Sequence, residues 1–394
     1  MRGILSYRFA IWLALGMASC SLPVLSQDTP AKMAPPLDQH ENATESEAAL
    51  IALSKAQPTN PEPFARLGLL EARRGDYPQA ISFYRRAMAL NPRMPGLALN
   101  LSLALFKDGQ YKQAIQIFTP MLKSLPPPSP EKQRLTILIG MSYYGLGEFQ
   151  AAVPYLQQAA DGDAQNLPLL LTLAHSCLFS KQYPCVLDAY HRMVALNAES
   201  AEADMLVGEA LDEMKDTAGA TQEFRAAIQA NPKEPNVHFG LGYLLWKQMQ
   251  YQEAAQEFQA ELDNTPDHAQ AMLYLADAYI ETNRLKDAEP LLEKLVKSNP
   301  EIPRAHLDLG IVYAADNRKE DALRELKAAA TLKPNDVNVH MRLGRLYRSM
   351  GKTAEAKSEF DTASSLTKAD YDGVLAAMSG AGKAKDSPAK PPAQ

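Results

Sequence analysis

The residues of this 394-residue sequence best suited to chemistry are its three cysteines, its seven histidines and two short glycine pairs. Gly145-Leu146-Gly147 and Gly240-Leu241-Gly242 have the start of a phosphate-cradling loop, but that chemistry needs a strand before the glycines and a helix after them. Neither pair follows a strand. His306 and His340 are the histidines whose spacing invites a metal. They fall on helices one repeat apart, so roughly 10 Å separates them, whereas zinc holds its ligands within about 2.1 Å. No serine–histidine–acid arrangement and no paired carboxylates can be read. The sequence therefore assigns no catalytic residue, no metal ligand and no cofactor, and the chain reads as a non-enzyme. Cys177 and Cys185 carry more: they lie about equally far on either side of an expected helix–helix turn. In an exported chain such a pair can oxidise if its Cα atoms stand about 5.5 Å apart. The other reading is that Cys177 fills an apolar seam while Cys185 is partly exposed.

The elements that must position these residues recur every thirty-four positions. Gly140, Ala174, Gly208, Gly242, Ala276, Gly310 and Gly344 form one column of small residues. Ala152, Val186, Ala220, Ala254, Ala288, Ala322 and Ala356 form a second, twelve residues later. A fixed period of this length is the mark of a repeat array. If each unit turns over near its fourteenth residue, the columns lie level on two antiparallel helices and let the axes approach to the lower end of roughly 8–10 Å. An apolar content of 46% with few aromatics suits stacked helices. The length would ordinarily imply two or three domains, but a solenoid grows linearly, each unit touching only its neighbours. The net charge of −6 and a pI near 5.7 argue against a nucleic-acid partner.

The stretch from Pro61 to Met94 carries Phe64, Leu67-Gly68, Gly75-Asp76-Tyr77, Ala80, Tyr84, Ala87 and Pro92. This resembles a tetratricopeptide repeat, and the match returns through Leu101-Ser102, Ala114, Phe118 and Pro126 and in each later unit. About nine repeats cover 61–368. Four extra residues fall between Ser102 and Gly140, at Pro126-Pro127-Pro128-Ser129-Pro130. Local departures are Ala164 and Ala198 for the closing Pro, Lys181 and Lys215 for the turn Gly, and His238, His306 and His340 for the first aromatic. The resemblance implies an all-α fold, a right-handed superhelical solenoid of stacked antiparallel helix pairs.

It also implies that a partner lies in a concave groove lined by the first helix of each repeat. Carried onto this sequence, the groove positions select Ile137, Met141 and Tyr144 in the third repeat and Leu171, His175, Leu178 and Phe179 in the fourth. They select Met205, Glu209, Asp212 and Glu213 in the fifth, Asn236, Phe239, Tyr243, Trp246 and Lys247 in the sixth, and Leu273, Asp277, Ile280 and Glu281 in the seventh. Aromatic and apolar patches thus alternate with acidic ones, which suits a protein or peptide segment with apolar anchors and some basic residues. The main candidates are Tyr144, His175, Phe179, Glu209, Asp212, Phe239, Tyr243, Trp246, Asp277 and Glu281, with Trp246 and Phe179 facing the groove; for the fifth-position residues such as Phe239, half-buried packing in the seam is the equal alternative. The family's clamp for a terminal carboxylate needs Lys and Asn where this chain has Ala65 and Leu69, Leu99 and Leu103, Phe239 and Tyr243, or Met341 and Arg345. No such clamp is readable.

The ends differ from the middle. Arg2 and Arg8 precede a short apolar core, Phe9 to Met17, followed by Ala18-Ser19-Cys20. Residues 1–26 read as an export signal, too short to span a bilayer. Met17-Ala18-Ser19-Cys20 resembles a bacterial lipobox, with Met in place of the usual Leu, and would make Cys20 the lipidated N-terminus of an outer-membrane lipoprotein. The alternative is ordinary cleavage after Ser26 and a soluble periplasmic or secreted protein. Residues 27–44 read as a flexible linker, 45–60 as an N-terminal capping half-repeat, 369–378 as a C-terminal capping helix and 379–394 as a disordered tail. The expectation is a non-enzymatic scaffold of the bacterial cell envelope, of the kind used in envelope, pilus or secretion assembly. The alternatives are a self-associating array and, further off, the recognition arm of an enzyme complex.

Overall fold

The computed structural model describes residues 47–126, 129–196, 198 and 200–378. The leader with Cys20, the linker over 27–44 and the tail over 379–394 lie outside them. Among the described residues all regular structure is helical. Helix α1 (Glu47–Ala56) precedes nine pairs. These are α2 (Pro61–Arg74) with α3 (Tyr77–Leu90), α4 (Leu97–Lys107) with α5 (Tyr111–Ser124), and α6 (Pro130–Gly145) with α7 (Phe149–Gly162). Next come α8 (Leu167–Phe179) with α9 (Tyr183–Ala195), α10 (Ala201–Glu213) with α11 (Thr217–Ala230), and α12 (Val237–Lys247) with α13 (Tyr251–Asn264). The last are α14 (Ala269–Glu281) with α15 (Leu285–Ser298), α16 (Pro303–Ala315) with α17 (Lys319–Leu332), and α18 (Val337–Ser349) with α19 (Thr353–Met378). By contacts the chain forms two compact units, Met1–Glu199 with Glu209–Met214, and Ser200–Gly208 with Lys215–Gln394. In the first, α1 packs on α2, and α2 on α4 and α6 on α8 bring neighbouring first helices together; in the second, α12, α14, α16 and α18 do the same.

Each pair turns over on one left-handed residue. Gly75, Gly109, Gly147, Lys181, Lys215, Met249, Asn283, Asn317 and Gly351 all have φ between 58° and 82°. Glycine enters this region without a Cβ clash, and a side chain there costs about 1 kcal/mol or more. The second helix then starts on a cap where the sequence supplies one: Asp76 accepts from the Gln79 amide and Asp216 from the Gly219 amide. This satisfies one of the free N–H groups of the first turn.

The small-residue columns have a third partner. A Cβ placed on Gly68 would come within 2.7 Å of the Tyr84 ring, on Gly242 within 2.9 Å of Phe258, on Gly310 within 2.7 Å of Leu326 and on Gly344 within 2.6 Å of Phe360. Each small residue on a first helix therefore receives the large side chain sixteen positions later on the second. A Cβ on Gly310 would also stand 3.4 Å from the backbone oxygen of Ala322, from the second column. Tyr84, Phe118, Leu156, Phe258, Leu292 and Leu326 in this large column are almost wholly buried. An aromatic in such a notch contributes roughly 2–3 kcal/mol by burial, so the small residues serve as sockets as much as points of axial approach. At the C-terminus the segment read as a separate capping helix continues α19, a single helix of 26 residues. No Gly or Pro interrupts the chain between Ser364 and Tyr371, and nothing else there stops a helix.

Candidate functional site

The second unit gathers four of the predicted residues on the face made by its first helices. α12 contributes Phe239, Tyr243 and Trp246 on successive turns, which puts them on one side of the helix. The Phe239 and Tyr243 rings are 6.1 Å apart and the Tyr243 and Trp246 rings 6.0 Å. Across from them, α14 supplies Tyr274, whose ring lies 5.0 Å from Trp246, 5.2 Å from Tyr243 and 6.0 Å from Phe239. Tyr243, Trp246 and Tyr274 are half-buried, whereas Phe239 is only 9% exposed. Phe239 therefore belongs to the floor of the site, against Phe258 at 5.8 Å, and not to an open groove wall.

Charged groups fix these rings from behind. The Trp246 indole N–H donates to Asp277 Oδ2 at 2.6 Å, and Arg304 Nη2 of α16 donates to Asp277 Oδ1 at 2.6 Å. The same guanidinium lies 5.4 Å from both the Trp246 and Tyr274 ring centres, and its Nε is 3.5 Å from Asp308 Oδ2. Asp277 is thus 8% exposed and committed on both oxygens, so it is no open acidic patch. Burial works against the Arg304 charge, but Asp308 and Asp277 more than offset it and raise its pKa. Asp308 is 5% exposed, and burial pushes its carboxyl up to about 7 despite Arg304. Burial, with Tyr243 alongside, raises the Tyr274 phenol to about 12.

The base of the site is held by a carboxylate inserted from the second helix of the same repeat. Asn236, the residue before α12, is left-handed at φ 68° and gives that helix no side-chain cap. Glu261 of α13, wholly buried, replaces it by accepting from the amides of Asn236 at 3.0 Å and Phe239 at 3.2 Å. Asn236 Oδ1 in turn meets His268 Nε2 at 2.8 Å, and His268 Nδ1 accepts from the Ala271 amide at 3.1 Å, capping α14. This arrangement requires the neutral ring with its proton on Nε2. Burial lowers the His268 pKa, against an opposing pull from Glu261.

The remaining candidates are distributed. In the first unit, Tyr144 lies 6.4 Å from His175, and His175 stacks 6.1 Å from Phe179. Phe149, the first residue of α7, completes this cluster at 4.6 Å from Phe179 and 5.6 Å from Tyr144. Tyr144 and Phe179 are half-buried, and His175 is buried. On α10, Glu209 is half-buried, while Asp212 is 8% exposed and so does not form the open acidic surface expected of it. Glu281 is exposed at the end of α14. Cys177 and Cys185 are joined across the α8–α9 turn, with Cα atoms 5.8 Å apart. His238, His306 and His340 each meet a glutamate nineteen residues later, Glu257, Glu325 and Glu359, at 2.6–2.8 Å.

Tyr274, Asp308 and Glu261 are site residues outside the groove positions, whereas Arg304 stands at the position of Asn236 two repeats on, in a repeat for which no groove residues were named. A signal for Asp308 was present, since it sits among apolar residues in His306-Leu307-Asp308-Leu309-Gly310. Such a carboxylate is rarely buried unless paired. Glu261 gave no signal, because a glutamate on a second helix reads as solvated surface.

Models described as tetratricopeptide repeat match residues 33–95, 71–135, 134–166, 239–294, 275–337 and 337–370, together more than half of the chain. No curated protein matches it. Among solved structures, MamA 41-end from Desulfovibrio magneticus RS-1 is similar at 21% identity and a TM-score of 0.41, over 43% of this chain and 96% of that one. YrrB, "a TPR protein with an unusual peptide-binding site", is similar at 18% and 0.42, over 45% and 92%. The APC/C hetero-tetramer Cut9-Hcn1 is similar at 16% and 0.47, over 76% and 58%. With nine helix pairs on one period and these matches along its length, the chain belongs to the tetratricopeptide repeat family, a generally non-catalytic family of protein–protein interaction scaffolds.

Proposed function

We propose that this protein is an exported bacterial scaffold that holds a protein or peptide segment on the first-helix face of its repeats, with Tyr243, Trp246 and Tyr274 as the main anchor. The observation that carries this reading is the state of the Trp246 indole. Its N–H is already bonded to Asp277, and Arg304 braces both, so the ring is fixed with part of its surface exposed. Fixed, partly exposed aromatics lose little entropy on binding and are the usual energetic anchors of interfaces. The partner has apolar residues for this surface and some basic ones toward the exposed Glu281. The basic n-region, apolar core and Ala18-Ser19-Cys20 support export, with Cys20 as the lipid-bearing residue of an outer-membrane lipoprotein. A role in envelope, pilus or secretion assembly follows from that address.

The test is capture from envelope extract by the full chain beside a Tyr243→Ala/Trp246→Ala version with the same helical circular dichroism. Partners retained by the first and lost by the second support the anchor. Equal retention rejects it, and capture of nothing but the protein itself points to a self-associating array. Loss of membrane association on Cys20→Ser, with export preserved, tests the lipid anchor.

A further inference from the structure

Toward the C-terminal end of the second unit, the first-helix face changes sign. α18 carries Arg342, Arg345 and Arg348 at intervals of three, which places them as neighbours on one side of the helix. Arg345 and Arg348 are exposed and Arg342 half-buried. Arg342 faces the buried Asp308 and is felt by it. Arg348 lies 5.7 Å from the Phe360 ring. Glu359, on the helix packed against them, is committed to His340 at 2.6 Å. Among the described residues, no carboxylate forms an ion pair with Arg345 or Arg348.

These arginines stand in register with the aromatic anchor. Tyr243, Asp277, Ile311 and Arg345 occupy one repeat position, and Trp246, Ile280, Ala314 and Arg348 another. Ile280 and Ile311 are half-buried and Ala314 exposed, while Asp277 is buried against Trp246 and Arg304, so these two positions present apolar surface between anchor and arginines. Its chemistry therefore runs from aromatic, through small apolar, to exposed cation. First helices of successive repeats lie about 10 Å apart, so three repeats measure roughly 30 Å. An extended chain at about 3.3 Å per residue covers that in about nine residues.

We infer that the strip receives an extended acidic segment of a partner protein, its apolar residue on Tyr243, Trp246 and Tyr274 and its carboxylates, some nine residues along, on Arg345 and Arg348. This rests on the proposed anchor and adds a direction and a charge to the partner. The guanidinium fork of arginine matches a carboxylate on two N–H groups, so acidic side chains are favoured over a diffuse negative field. Basic residues of the same partner are left for Glu281, at the end of α14 beside the anchor.

The test uses the full chain and fluorescein-labelled peptides of one phenylalanine, six glycine or serine residues and three glutamates, or three lysines in their place. The glutamate peptide is expected to bind at least ~10-fold tighter at low salt, with the gap closing near 0.5 M salt, where the screening length falls to a few ångströms. Arg345→Glu/Arg348→Glu should reverse the preference, with Arg345→Lys/Arg348→Lys keeping its direction at reduced size. Trp246→Ala should weaken both peptides alike. Equal binding of the two peptides, no binding of the glutamate peptide at about 1 mM, or an unchanged preference in the Arg345→Glu/Arg348→Glu protein overturns the inference. Glutamate preference that survives with no effect of Trp246→Ala keeps the arginines and rejects the aromatic anchor, so the two readings fail separately.

Discussion

Replacing Glu261 by alanine tests whether a buried carboxylate on a second helix holds the site in place. Glu261 is wholly buried and accepts from two amides at the start of α12, which has no side-chain cap of its own. The Phe239 amide is buried, and stranding it costs about 2 kcal/mol. The Asn236 amide is half-buried, and water can take the place of the carboxylate there for about 1 kcal/mol. Loss of a negative charge at the helix N-terminus adds ~0.5 kcal/mol. The expected loss is therefore about 3.5 kcal/mol for Glu261→Ala, and about half of that for Glu261→Gln, which keeps one acceptor oxygen. The sequence has two tryptophans, Trp12 and Trp246, so in a Trp12→Phe background indole emission reports this site alone. Urea unfolding followed by that emission should shift its midpoint down by about 1–2 M, at a slope typical of small cooperative units. Amides of residues 236–240 should exchange roughly 300-fold faster, since 1.4 kcal/mol is a factor of ten. An unchanged Trp246 transition, with exchange at 236–240 within a few-fold of the parent, would refute the assignment of Glu261 as the cap.

Other outcomes follow from single residues. Met249→Gly removes a side chain from a left-handed residue at φ 61° and should raise stability by about 0.5–1 kcal/mol, read as a higher thermal midpoint. Reduction of the Cys177–Cys185 bond frees a short loop and should lower the stability of the first unit by about 2 kcal/mol, seen as a lower urea midpoint in reductant. His268 has a folded pKa below the ordinary 6.5 because it is buried. The unfolded chain therefore takes the proton first, and stability from this group should fall as pH drops below about 6.5. His268→Asn, which keeps a capping acceptor, should flatten that part of the urea-midpoint profile. His340 works in the opposite sense: burial opposes its charge, but Glu359 and the Pro334 carbonyl raise its pKa. Its contribution should be complete below about 6.5 and be lost as pH rises through the folded pKa, which NMR titration of the two rings separates.

The architecture could be read from sequence because it consists of what the repeats share, whereas the site consists of what they do not. Small residues at one offset recur often enough to show the period. The large residue that fills each socket is harder to see, since Tyr84, Leu156, Phe258 and Leu326 agree only in volume. Met249 illustrates the same limit at a turn. Methionine gives no sign of a left-handed backbone, and only its place midway between Lys215 and Asn283 does so. At the position of Tyr274 the flanking repeats carry Gly240, Asp308 and Arg342, four residues with four chemistries and no periodic signal. Yet Tyr274 packs on the Trp246 indole, and Asp308 and Arg342 set the charge beside it. Comparing two offsets together recovers more. His238, His306 and His340 meet Glu257, Glu325 and Glu359, and in the one intervening repeat Met272 and Leu291 stand at both positions. A histidine and its glutamate thus change together to an apolar pair, as expected where leaving either partner buried alone is costly. Contacts within one repeat can be read from such paired offsets. Those that tie Trp246 to Asp277 and Arg304 cross three repeats and are made once, so only the folded chain brings them together.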